Sequence, residues 1–154
     1  MNWFKIYIRS SLHVALAVSA LVGITANEFD IKILKYFYFF IFFSTIAGYN
    51  FVKFVSIYKS SKHEISLFLK LIQLISVIAG LFFYFQLSKA SIVFVLFLAI
   101  VTFLYANPLH KNKNLRNLTG LKISIVALVW ASITVVLPIL NENIELLNAN
   151  VWLS

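Results

Sequence analysis

Long apolar runs separated by short polar stretches divide the chain into five segments, at residues 10–26, 34–55, 67–87, 90–106 and 120–140. Each is close to the roughly 20 residues that a helix needs to cross the hydrocarbon core of a bilayer. The runs are continuous rather than alternating, and they are too long for barrel strands. The pattern therefore predicts an all-α, polytopic transmembrane helix bundle of about five spans, forming a single domain over residues 1–154. The third and fourth runs could form one helix, but Gln86, Ser88 and Lys89 interrupt them, and the combined length far exceeds one bilayer. A tight re-entry is expected there. Lys5 and Arg9 ahead of the first run resemble a signal peptide. However, Ile24-Thr25-Ala26 is a poor cleavage site because its first residue is bulky, so the run reads as an uncleaved first helix.

Composition agrees with the pattern. The 154 residues are 62% hydrophobic and only 12% charged, against about 25% charged in ordinary soluble domains. So few charges cannot cover a water-facing surface. The absence of cysteine removes disulfides, thiolate metal sites and cysteine nucleophiles. A net charge of +8 would suggest nucleic acid only if the basic residues shared one exposed face. They sit instead in short runs between apolar segments.

Those runs orient the chain. With the amino terminus in the cytoplasm and five spans, the carboxy terminus is outside. Lys5, Arg9, Lys53, Lys59, Lys62, Lys70, Lys111, Lys113, Arg116 and Lys122 then lie on the inner side, and only Lys32, Lys35 and Lys89 on the outer. Glu28, Asp30, Glu142 and Glu145 are outside, and Glu64 is inside. This satisfies the positive-inside rule. The expected location is the inner (cytoplasmic) membrane.

Small residues recur four apart, stacking on one helix face where backbones approach closely. Examples are Ser11, Ala15, Ser19 and Gly23; Ser44 and Gly48; Ser76 and Gly80; Gly120 and Ser124; and Ala127 and Ala131. The repetition predicts a packed bundle. By contrast, the bulky run at 36–43, YFYFFIFF, is expected to face lipid in part. Trp3 and Trp152 lie near expected interfaces, where amphipathic rings are favoured.

Candidate chemistry gathers at the inner side. The second run ends in GYNFVKFVSIYKS, residues 48–60, which places Asn50, Phe54 and Tyr58 on one face with Lys53 beside it. A bland account exists: Asn50 bonds a neighbouring helix, and the Lys53 stem carries its ammonium out to the headgroups. The connection at 103–122 opens at the same side with Tyr105 and Pro108 and carries His110, Lys111, Lys113, Arg116 and Lys122. His13 begins the first run there too. Converging cations attract phosphate, whether on a lipid headgroup or a diphosphate. The positive-inside rule explains the same charges with no ligand.

Asn50 near the inner end of the second helix, followed by a basic loop with Tyr105-x-x-Pro108 and then lysines, resembles the UbiA superfamily of membrane prenyltransferases. Most of this chain is similar to the amino-terminal half of such an enzyme. The resemblance implies transfer of an isoprenoid chain from its diphosphate to an acceptor. A shared membrane face makes Asn50, Lys53, Tyr105, Lys111 and Arg116 the phosphate-binding candidates. In the family pattern, aspartates four and eight residues after the Asn hold Mg²⁺, which neutralises the departing diphosphate. Here those positions are Phe54 and Tyr58, which cannot act as hard oxygen ligands. The expectation is therefore no metal site, no catalytic residue and no Mg²⁺-dependent transfer by this polypeptide alone. The family's second aspartate motif belongs to its later half, so the chain reads as a fragment of a longer enzyme or as a short relative that pairs with a partner. Expected partners are membrane lipid, an isoprenoid diphosphate, and a second copy or another membrane chain, with no nucleic acid. Two alternatives stand beside this reading: a small assembly subunit without a ligand site, and a half-enzyme whose partner supplies both carboxylates. Phosphate loops, paired metal-binding histidines, Ser-His-Asp sets and dinucleotide fingerprints are absent from the sequence.

Overall fold

The structure is a computed structural model and describes residues 7–59, 66–106 and 119–142. All regular structure in these residues is helical, as expected where no water reaches the backbone and every N–H and C=O must pair within its own segment. Helix α1 is Leu12–Glu28, α2 is Lys35–Lys59, α3 is Leu67–Tyr84 and α4 is Lys89–Ala106. Then α5 (Thr119–Ala131), a π-helical turn (Ser132–Val136) and α6 (Leu137–Asn141) follow without a break as one long helix.

Four stretches are long and apolar enough to cross a bilayer: Lys35–Val55, Leu67–Tyr84, Lys89–Ala106 and Ile123–Asn141. The protein thus has the build of a multi-pass membrane protein. The first apolar run forms a helix of 17 residues, displaced by two: Ser10 and Ser11 form a turn in place of its first residues, and the helix continues to Glu28. Ser11 has φ 63°, left-handed backbone that L-residues enter at a cost. The far end of α1 closes in a Schellman arrangement, with Ile31 N–H donating to Ala26 C=O at 2.8 Å and Asp30 N–H to Asn27 C=O at 3.5 Å. Asp30 takes the left-handed position (φ 51°) usually given to glycine, and Ile31 is buried behind it.

The expected re-entry between the third and fourth runs is present. Helix α3 stops at Tyr84, and α4 starts at Lys89. Ser88 caps α4, its Oγ accepting from Ser91 N–H at 3.3 Å.

Helix α2 is the hub, packing on α1, α3 and α4. Its contact with α3 is close because Gly80 lies against the Ser44 backbone; a Cβ built on Gly80 would stand 3.8 Å from Ser44 N. Gly48, expected on the same stripe, meets no neighbour. Stacked rings extend the α2–α3 seam, with Phe83 lying 5.5 Å from Phe39 and 6.4 Å from Phe43. The YFYFFIFF run faces the core in part only, with three of its eight residues buried. Phe37, Phe40 and Ile41 join Val14, Val18, Val22, Leu87 and Leu137 in the buried cluster, while Phe39 is exposed. Trp3 and Trp152 lie outside the described residues.

Candidate functional site: the Asn50 end of the bundle

Helix α2 carries Asn50 and Lys53 one turn apart, opposite the Ser10–Ser11 turn that precedes α1. Asn50 is fully buried. Its Oδ1 accepts a 2.7 Å bond from Ser11 Oγ, and its Nδ2 donates to Ser10 C=O at 3.2 Å. Lys53 Nζ donates to Ser11 Oγ at 2.7 Å and, at 3.4 Å each, to the carbonyls of Ile8 and Arg9. Residues 7–9 are helical, so these are C-terminal carbonyls that lack partners within their own helix, and a cation is favoured there. The ammonium also lies 5.2 Å from the Tyr49 ring centroid, within cation–π range.

The result is a relay from Lys53 to Ser11 to Asn50 to the Ser10 carbonyl. It holds the left-handed turn in place and clasps residues 8–11 onto α2. Lys53 has three N–H groups and three oxygens within reach. Sequence reasoning selected Asn50 and Lys53 but missed the Ser10–Ser11 pair that completes the relay. The available signal was two adjacent serines ahead of an apolar run, a helix-start signature.

Tyr105 reaches the same end. The Phe51 and Phe103 rings stack at 6.2 Å and 16°, joining α2 one residue past Asn50 to the last turn of α4, and Tyr105 is buried two residues further on. Lys111 and Arg116 lie outside the described residues. His13 is beside the Tyr7 ring at 5.6 Å, and its buried Nδ1 has no hydrogen-bond partner.

A carboxylate-held Mg²⁺ site does not fit these residues. Phe54 follows Asn50 where a carboxylate would be needed. Among the described residues no three His, Asp or Glu side chains converge as a metal-binding group.

A second polar cluster, unforeseen from sequence, ties the opposite end. Ser88 N–H donates to Asn141 Oδ1 at 3.2 Å, and Ser88 Oγ donates to Leu140 C=O at 3.0 Å. Asn141 Nδ2 donates to Tyr36 Oη at 3.5 Å. No family model matches the chain, and no curated protein or solved structure matches it either.

Proposed function

We propose that the protein is a UbiA-like membrane bundle that binds rather than transfers. In this reading the amino terminus is cytoplasmic, and a fifth span is completed by α1. A phosphate-bearing isoprenoid or a phospholipid is held at the inner rim, with no Mg²⁺-dependent chemistry. The observation that supports the reading is the convergence of Asn50 and Lys53 on Ser11, at the end of the bundle where the Phe51–Phe103 stack ties α4 to α2. The basic connection containing Lys111 and Arg116 leaves α4 one residue after Tyr105. Because Lys53 is committed to Ser11, this reading assigns phosphate recognition to the cationic side chains of that connection, Lys111 and Arg116.

The test is a titration of the detergent-solubilised chain with farnesyl diphosphate, farnesol and an anionic phospholipid, read as the thermal midpoint. A rise with the diphosphate and none with farnesol supports an isoprenoid-diphosphate site. A rise with the phospholipid alone assigns the site to headgroups. Either rise should vanish in the Lys111→Gln, Arg116→Gln double variant. No rise with any of the three sinks the ligand reading.

A second reading is a membrane assembly subunit with no ligand. It is favoured by one feature: Lys53 spends its donors on the chain's own oxygens. It predicts no thermal shift and a defined oligomer or partner complex on gentle extraction. Orientation is checked separately by reporter fusions after residues 60 and 112, both expected inside.

A further inference from the structure

We propose that α5 is a swinging arm, hinged on the π turn Ser132–Val136, that opens and closes one side of the bundle beside α1. The inference needs no ligand and stands on how the long helix is built.

The hinge has a local cause. Pro138 has no N–H, and in a regular α-helix its ring would collide with the carbonyl four residues earlier, that of Thr134. The chain widens instead: Leu137 N–H bonds the Ser132 carbonyl, five residues back. Thr134 Oγ1 donates to the Trp130 carbonyl at 2.9 Å, adding a side-chain bond across the widened turn. Proline and π turns are where sharp helix bends concentrate, and π turns recur at functional positions.

The two sides of the hinge are treated differently by the fold. On the far side α6 is anchored. Leu137 and Ile139 are each 1% exposed, and Ser88 grips both Leu140 and Asn141. The π turn itself packs on α1, and α6 on α4. On the near side the arm is bare: Ile123 is 69% exposed, Leu128 54% and Val126 39%. Trp130 and Ile133, at the base of the arm, rest on the core cluster that includes Val14, Val18 and Val22 of α1. Among the described residues the arm is thus anchored at its base, which lies next to α1, and its apolar side chains beyond the base are largely exposed, as is Leu16 of α1. Lipid tails solvate an apolar arm as well as a protein neighbour does. The swing therefore meets no hydrophobic penalty in either direction.

The expected amplitude follows from geometry. Ile123 lies 11 residues before Thr134, about 16 Å at 1.5 Å per residue. A change of about 20° at the bulge moves it by about 6 Å. The chain has no cysteine, so spin labels can be placed by Leu16→Cys with Ile123→Cys, and as a control by Ile24→Cys with Phe85→Cys. Pulsed EPR distances are measured on the 154-residue chain in lipid nanodiscs. The Leu16/Ile123 pair should give a distribution broadened or split by about 6 Å, while the control pair stays narrow. Pro138→Ala should narrow the first pair only. A single narrow Leu16/Ile123 distance in the unmodified background overturns the proposal, as does an equally broad one in a folded Pro138→Ala chain. Where that variant fails to insert, the two label pairs in the unmodified background decide alone.

Discussion

Replacing Asn50 with alanine tests whether the clasp at this end of the bundle is a structural element in its own right. The substitution removes two bonds, the 2.7 Å one from Ser11 Oγ and the 3.2 Å one to the Ser10 carbonyl. Side-chain hydrogen bonds within membrane proteins average about 0.6 kcal/mol and reach about 1.7. Two of them, at a fully buried site, give an expected loss of about 1–3 kcal/mol. A value in the upper part of that range is expected, because the left-handed Ser11 backbone is otherwise unfavourable by about 1–2 kcal/mol. Once its side chain loses Asn50, less opposes that strain. The assay is reversible unfolding in mixed micelles, run as a double-mutant cycle with Ser11→Ala. The coupling should be at least about 0.5 kcal/mol. Alanine and serine share the same reluctance to adopt φ 63°, so the cycle isolates the side-chain contact. An Asn50→Ala chain as stable as its parent, or strict additivity with Ser11→Ala, would refute the reasoning.

Substitutions at three further positions probe other joints. Lys53→Met keeps the apolar stem and removes all three donor bonds, so residues 8–11 should lift from α2; a cysteine at Ile8 should then react several-fold faster with a water-soluble maleimide. Asp30→Gly relieves the left-handed backbone at the end of α1 and should stabilise the chain by about 1 kcal/mol, measured in the same unfolding assay. Gly80→Ala should be tolerated, since its Cβ would sit 3.8 Å from Ser44 N, an ordinary contact. Gly80→Leu should instead part α2 from α3 and cost about 1–3 kcal/mol.

The helices were legible because their signal is length and continuous apolarity. The break at Gln86–Lys89 was legible because a single helix through it would outrun the bilayer. What sequence concealed was local backbone geometry. Ser10 and Ser11 look like the small, tolerable start of a span; only the neighbouring helix, bringing Asn50 and Lys53, turns them into a left-handed corner. Pro138 sits inside a run that reads as plain helix, and its effect on the turn before it appears only once the i−5 bond is seen. Lipid-facing and core aromatics were likewise inseparable by composition. In a bilayer both faces of a helix are apolar, so the difference between buried Phe37 and exposed Phe39 lies in which neighbour each one meets.

The clasp constrains how any phosphate could bind at this end. Lys53 has no N–H to spare while it holds Ser11 and the carbonyls of Ile8 and Arg9. A diphosphate that engages Lys53 must therefore release residues 8–11, and it carries the cost of breaking those three bonds. A diphosphate bound through Lys111 and Arg116 leaves the clasp closed and gains the binding energy undiminished. The two routes have opposite signatures at one reporter position. Maleimide reaction at an Ile8→Cys label accelerates on adding farnesyl diphosphate in the first case, and stays constant while the thermal midpoint rises in the second. The relay already satisfies its members, and a satisfied buried network is costly to open. The expected result is therefore a rising midpoint with an unchanged labelling rate. Acceleration would identify Lys53 as the phosphate ligand and the Ser10–Ser11 turn as the element that moves.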